Sequence, residues 1–235
     1  DHGVLAHHLR AAGIDFDRAC FGDGHFRAMA EVDRCRSVPE EFTDYNHGFT
    51  HAVGVPPDQV EDACAVLRRE LVPGLWCQPI PGARDAARRL ADAGVRLAVT
   101  SNSDGTVADL LARHEVAQVG PGPGVAVEVI TDSGVVGVAK PHPAMFAATA
   151  EGLGLPPGRI CHIGDSGTYD ADGGAAAGMR AVHVDPLGRC RDGDGLADMD
   201  PERHSPQQPA IALHEVARLG DLGIRRRERR LVHRG

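Results

Sequence analysis

The chain has 235 residues, of which 42% are apolar and 25% charged, and its formal net charge is −8. This composition predicts a soluble globular protein, and the negative charge argues against nucleic-acid binding, which favours a basic face. No apolar run is long enough to cross a bilayer. The six cysteines form no CxxC pair, so we expect reduced thiols in a cytoplasmic protein rather than a disulfide framework.

The first third of the chain has the pattern of a helical domain. Apolar side chains recur at helical spacing in four stretches, which cover residues 3–12, 23–36, 40–54 and 58–71. Glycine and proline residues separate the stretches. The sequence therefore predicts an all-helical domain over residues 1–78.

From residue 79 onward the pattern changes to alternating strands and helices. The predicted strands cover residues 95–100, 125–130, 160–163 and 181–184. The predicted helices cover residues 83–93, 106–114, 144–152 and 210–219, and we expect the last of them at the edge of the sheet. This alternation predicts an α/β fold, with a Rossmann-like parallel sheet over residues 79–220. A basic tail at 221–235 follows.

Three polar loops stand beside the predicted strands. Ser101 and Asn102 follow the first strand, Lys140 precedes a helix, and Asp165 and Asp170 follow the strand at 160–163. Parallel strands present their carboxyl ends at one edge of the sheet, where ligands bind. A hydroxyl and a backbone amide can hold a phosphate oxygen, an ammonium group can neutralise its charge, and two carboxylates can hold Mg²⁺. Together they are the parts of a phosphoryl-transfer site.

Lys140 is the sole lysine among 25 basic residues. A lysine kept where every other cation is arginine suggests a position that needs a compact ammonium group, although a chance surface position is the alternative. The acidic loop also has a simpler interpretation, a solvated loop in which Asp165 begins a helix.

Other polar residues give weaker signals. His47 and His51 are four residues apart and could share a metal ion, but no third ligand is evident, so a structural role is favoured. Asp104 is expected to begin the helix at 106–114, and Asp132 to be a turn residue. His142 could line the mouth of a pocket, or lie in an exposed loop.

The order of these motifs resembles the haloacid dehalogenase-like (HAD) hydrolases, of the subfamily IA type with a helical cap. The matching stretches are PGARDAARRLADAGVRLAVTSN, AKPHPAMF and HIGDSGTYDADGGAAAGM, and the resemblance covers roughly residues 79–186. It implies that the helical segment at 3–73 is a cap, which closes over the site and selects the substrate.

The resemblance also implies a role for each site residue. Ser101 corresponds to the hydroxyl that binds the transferred phosphoryl group, and Lys140 corresponds to the lysine of the third motif. Asp165 and Asp170 correspond to the acidic pair around Mg²⁺. The implied substrate is a small phosphorylated metabolite.

The first motif of the family is not found. The family nucleophile is an aspartate at the end of the first strand, whereas no apolar strand precedes Asp1, and helical periodicity runs on to Gly13. We expect the nucleophile and its strand in residues upstream of this chain. Without that strand, we expect a gap in the sheet between the strands that end at Ser101 and Asp165. Because unpaired backbone is costly, we expect either that the natural protein has more residues upstream or that this chain folds poorly and is inactive.

The sequence thus favours a Mg²⁺-dependent hydrolase of small phosphate esters that acts through an aspartyl-phosphate. One alternative is a 2-haloacid dehalogenase of the same fold, which needs no Mg²⁺ and which the acidic pair disfavours. The other is a non-catalytic HAD-like binding or regulatory protein, which the missing first motif favours.

Overall fold

The computed structural model describes residues 2–37, 43–70, 79, 82–185 and 210–213, the last of these as backbone. Within these ranges no helix combines the length and the apolar character that crossing a bilayer would require.

The N-terminal part is helical, as predicted. Its helices are α1 (His2–Ala11), α2 (Phe21–Cys35), α3 (Thr43–Ala52) and α4 (Val60–Glu70). Their apolar faces pack into one core that includes Leu9, Phe21, Phe49 and Leu67. Burial of this shared face, rather than the propensity of any single short helix, supplies most of the stability of such a unit. We call α1–α4 the helical segment.

The remainder alternates between helices and strands, which confirms the α/β prediction. Its helices are α5 (Ala83–Asp92), α6 (Val107–Arg113), α7 (Ser133–Val136), α8 (Pro143–Leu153) and α9 (Gly173–Ala176). Its strands are β1 (Arg96–Ser101), β2 (Ala117–Val119), β3 (Val125–Val127), β4 (Val129–Asp132), β5 (Ile160–Gly164), β6 (Arg180–His183) and β7 (Ala210–Leu213). The main sheet has the order β4-β1-β7-β5-β6, and all of its pairings are parallel.

The strand predicted at 125–130 is in fact two strands. Val125 and Val127 pair with β2 in a separate two-stranded sheet, whereas Val129 begins β4, which pairs with β1. The chain changes sheets at Glu128, whose backbone N–H donates to Leu97 O at 2.8 Å. The continuous apolar pattern did not reveal this switch, and the short strand β2 was not predicted.

Residues 210–213 correct two predictions. They were predicted to begin a helix at the edge of the sheet, but they form β7, which lies between β1 and β5. Leu213 is in register with Val99 on one side and with Ile163 on the other. The expected gap is therefore filled. Because the facing sides of β1 and β5 carry backbone groups that need partners, tertiary pairing outweighs a weak helical preference.

Several other predictions fall outside the described residues. They concern the rest of the predicted helix at 210–219 and the basic tail at 221–235.

Candidate active site

Lys140 lies buried at the carboxyl edge of the sheet and has no exposed side-chain surface. Its Nζ donates to Asp170 Oδ1 at 2.6 Å and to the carbonyl oxygen of Thr100, in β1, at 3.2 Å. The backbone of Lys140 is held by Asn102, whose Oδ1 accepts from Lys140 N at 2.7 Å and whose Nδ2 donates to Lys140 O at 3.1 Å. The structure thus brings Lys140, Asn102 and Asp170 together.

Asp170 is the fully buried counter-ion of this lysine. His162 Nε2, from β5, lies 2.8 Å from Asp170 Oδ1, and the backbone N–H of Ser166 donates to Asp170 Oδ2 at 3.2 Å. Residue 164 has to be glycine, because a Cβ there would collide with the Asp170 carboxylate. Asp170 is therefore fixed from three sides.

Asp165 follows β5 directly and meets the helical segment. Its Oδ2 lies 2.7 Å from His25 Nε2, and His25 Nδ1 lies 3.0 Å from Tyr45 Oη. His25 belongs to α2 and Tyr45 to α3, so the helical segment reaches the carboxyl edge of the sheet at this point.

Ser101 is the last residue of β1 and is half-buried. In the parallel pairing it is in register with Asp132 of β4. It was predicted to follow the strand and is instead its last residue, so it still lies at the carboxyl end of β1. No hydrogen bond of its hydroxyl is found among the described residues.

The loops beside Ser101 are organised by Asp132. Its carboxylate accepts hydrogen bonds from the backbone N–H groups of Gly105, Val107 and Gly134, at 2.9 to 3.1 Å. Asp132 is therefore the turn residue that was predicted. Its carboxylate also accepts a hydrogen bond from Val107 N, the first N–H of α6. Asp104, which was expected to begin that helix, accepts instead from Thr106 N at 3.2 Å and from the Thr106 hydroxyl.

His142 and His47, two of the weaker signals, make local contacts. His142 is exposed and begins α8, where its Nδ1 accepts from Ala144 N at 3.2 Å. His47 Nε2 lies 3.6 Å from Glu61 Oε1 on the surface of the helical segment. Within the described ranges, no three or more His, Cys, Asp and Glu side chains are grouped to hold a metal ion.

The donor chemistry of the acidic loop still fits Mg²⁺, which takes one or two carboxylates and keeps several water ligands. Asp165 presents hard oxygens at the end of β5. Asp165 Oδ2 also lies 2.7 Å from His25 Nε2, whereas both oxygens of Asp170 accept hydrogen bonds, from a lysine, a histidine and a backbone N–H. The residues present thus fit a magnesium ion at Asp165, with Asp170 balancing the charge of Lys140.

Several contacts of the site were not predicted from the sequence. His25 and Asp33 approach the acidic loop from α2, and Thr100 and His162 approach Lys140 and Asp170 from the strands. Thr100 and His162 lie in apolar strands, where a polar residue is a usable signal. His25 and Asp33 are separated from the loop by more than 130 residues, and nothing in their local pattern marks them.

Comparison with known proteins points to the same family as the order of the sequence motifs. A family profile described as haloacid dehalogenase-like hydrolase matches residues 14–178. The chain is 31% identical to the phosphoserine phosphatase of Thermus thermophilus over 172 residues, which are 73% of this chain and 61% of that protein. It is 30% identical to phosphatase MT3486 of Mycobacterium tuberculosis over 123 residues, which are 50% of this chain and 52% of that protein. The matched part thus spans less than two thirds of either relative.

Solved structures of both chemistries are also similar to the chain. A HAD phosphatase from Thermococcus onnurineus is 17% identical, with a TM-score of 0.39 and coverage of 80% of this chain and 82% of that one. The L-2-haloacid dehalogenase RSc1362 is 18% identical, with a TM-score of 0.43 and coverage of 85% and 79%. Both TM-scores are below 0.5, so neither likeness decides the chemistry. The profile match covers well over half of the chain, which therefore belongs to the haloacid dehalogenase-like hydrolase family.

Proposed function

We propose that the protein is a Mg²⁺-dependent hydrolase of small phosphate esters, with Lys140, Ser101 and Asn102 as the phosphate site and Asp165 and Asp170 as the acidic pair. The observation that carries the proposal is the fully buried Lys140–Asp170 ion pair at the carboxyl edge of the sheet. Burying two charges costs free energy that their attraction often fails to recover, so such a pair is weak evidence for a stabilising role. A role in stabilising the charge of a phosphoryl group accounts for it better.

The residues of the chain divide the work by their positions. Lys140 stabilises the negative charge of the phosphoryl oxygens, and Asp170 holds its ammonium group in place. Ser101 donates its hydroxyl to a phosphoryl oxygen. Asn102 fixes the backbone of Lys140 and so acts on the phosphate through the lysine. Asp165 would hold Mg²⁺, which supplies further charge neutralisation when it is bound.

The reaction in this scheme has two steps. An aspartate carboxylate attacks phosphorus while the P–O bond to the substrate breaks, and the leaving alkoxide takes a proton from water to become the alcohol. Water then cleaves the aspartyl-phosphate to give inorganic phosphate and the free carboxylate. The nucleophile in this scheme is the aspartate of the family's first motif.

The helical segment serves as the cap in this proposal. The support is the contact of His25 and Tyr45 with Asp165, because it brings polar groups of α2 and α3 over the edge of the sheet where the substrate would bind. A cap in this position excludes water and restricts the site to small substrates.

The test is the hydrolysis of an aryl phosphate with Mg²⁺ and with a chelator. It uses this chain and, if the gene encodes residues before Asp1, a second version that carries them. We expect Mg²⁺-dependent turnover that falls by at least about 100-fold in Lys140→Met, because an essential charge-stabilising group is removed. Arg113→Met is the matched control, since it removes an exposed cation at the end of α6 and should leave turnover unchanged.

The alternatives give different results in the same assay. Chelator-insensitive release of halide from a 2-haloacid would identify a dehalogenase. Binding of phosphate without turnover in both versions would identify a binding protein. Full activity of Lys140→Met would contradict the proposed site.

A further inference from the structure

Asp33, in the last turn of α2, contacts the loop that carries the two acidic site residues. Its Oδ1 accepts from the Ser166 hydroxyl at 2.7 Å and from Thr168 N at 2.8 Å, and its Oδ2 accepts from Gly167 N at 2.7 Å. One carboxylate of the helical segment thus receives three hydrogen bonds from the segment between Asp165 and Asp170.

These donors are groups that would otherwise lack partners. A single π-helical turn, Gly167–Asp172, begins after Ser166, and the first N–H groups of any helical turn have no acceptor within it. The Ser166 hydroxyl accepts from Tyr169 N at 2.9 Å while it donates to Asp33. Hydrogen bonds to an ionised carboxylate are shorter and stronger than neutral ones. Asp33, which belongs to the helical segment, therefore supplies the acceptors that the first donor groups of this turn lack.

The backbone of the loop is shaped for this contact. A Cβ at Gly167 would lie 3.2 Å from Asp33 Oδ2, so the absence of a side chain there lets the loop press closely against α2. Beside it, the Tyr169 hydroxyl donates to Ser37 O at 3.0 Å. Arg36 and Asp172 form only a long, exposed ion pair of 3.5 Å, which water and salt weaken.

We propose that Asp33 is a positioning residue, which holds the Asp165–Asp170 loop in the geometry where Asp170 meets Lys140. Among the described residues, no hydrogen bond or ion pair joins Asp33 to Lys140, Asp170 or Ser101, so it acts through the loop. Because Asp33 belongs to α2, the position of the helical segment is coupled to the geometry of the acidic pair. The effect of Asp33 on turnover rests on the proposed phosphatase function, whereas its effect on the loop does not.

The test compares Asp33→Asn with Asp33→Glu and with Glu31→Gln as the matched control. Glu31 lies on the same helix and pairs with Arg34 on the surface, so its variant removes the same charge without touching the loop. Amide hydrogen exchange of Gly167 and Thr168 is followed by NMR in the full chain. We expect about tenfold faster exchange in Asp33→Asn, because the amide group puts an N–H donor where an acceptor is needed. We expect a smaller change in Asp33→Glu and none in Glu31→Gln.

Steady-state kinetics then separate positioning from a general loss of stability. With an aryl phosphate, Asp33→Asn should lower kcat about tenfold with less than a twofold change in KM, and Asp33→Glu should recover part of the loss. Unchanged exchange at Gly167 and Thr168 would overturn the proposal, and so would faster exchange with full kcat. If no version of the chain hydrolyses phosphate esters, the proposed function fails, and the exchange rates alone then decide whether Asp33 holds the loop.

Discussion

Lys140 carries a fully buried positive charge at the carboxyl edge of the sheet. Its ammonium group fits between Asp170 and the carbonyl oxygen of Thr100, with no side-chain surface exposed. A guanidinium group is planar and larger, so arginine would not occupy the same space with the same contacts. The sequence suggested a position that needs a compact ammonium group, because lysine persists here in a chain that otherwise uses arginine, and the burial of Lys140 excludes the alternative of a chance surface position.

The buried pair of Lys140 and Asp170 predicts that the stability effects of substitutions at these two residues are coupled. Lys140→Met leaves the Asp170 carboxylate buried with its main counter-charge removed, so the free energy of unfolding should fall by about 3–5 kcal/mol. Asp170→Leu alone should be similarly harmful, whereas the double variant should lose much less than the sum. Urea denaturation of the three variants measures this. Strictly additive losses would show that the two side chains do not depend on one another.

At the scale of elements, the sequence predicted those whose local pattern agrees with their final environment. The amphipathic helices α1, α2 and α4 and the buried strands β1 and β5 appear within a few residues of their predicted limits. The predictions failed where long-range pairing decides the structure. Residues 210–213 have too little local preference to reveal a strand, and only the open sides of β1 and β5 explain their conformation.

The central position of β7 predicts a strong effect of proline there. Ala212→Pro removes an N–H from a strand paired on both sides and forces φ, so the free energy of unfolding should fall by about 2–3 kcal/mol. Thermal unfolding followed by circular dichroism measures the loss. Ala126→Pro is the matched control, because Ala126 is an exposed residue of the two-stranded sheet and should cost less. Equal losses in the two variants would contradict the central placement of β7.

Asp132 supports a prediction about the loops beside Ser101. Asp132→Ala leaves three backbone N–H groups without their acceptor, and the free energy of unfolding should fall by about 2–3 kcal/mol. Asp104→Ala, which removes an exposed carboxylate from the same loop, should cost clearly less. Chemical denaturation of both variants gives the comparison. A larger loss in Asp104→Ala would reverse the roles assigned to the two residues.

At the scale of the whole molecule, α2 connects the helical segment with the acidic loop through His25 and Asp33. The sequence predicted that Lys140, Asn102 and Asp170 lie together, because topology alone brings the carboxyl ends of parallel strands to one edge. It could not predict the contacts from α2, because they depend on how the two parts pack. The roles of Asp165 and Asp170 around Mg²⁺ remain predictions.

The surface ion pairs predict a dependence of stability on pH. Hydrogen bonds from Arg96 and Arg34 lower the pKa values of Glu128 and Glu31 below the usual 4.5. A folded-state pKa below the unfolded one gives stability that is complete above the unfolded value and is lost as the pH falls through the folded value. These pairs should therefore leave the urea midpoint of unfolding nearly constant between pH 7 and pH 5. At pH values below about 4.5 the midpoint should decrease.

Glu128→Gln isolates the contribution of one of these pairs. Its glutamine cannot ionise, so the variant should start from a slightly lower midpoint at pH 7 and lose less between pH 5 and pH 3.5 than the unmodified chain. Both partners are partly exposed, so the difference should be small and should shrink at high salt. Parallel curves of urea midpoint against pH for the two proteins would show that the Arg96–Glu128 pair makes no contribution to acid stability. A midpoint of the unmodified chain that rises as the pH falls would contradict the direction derived from the lowered pKa values.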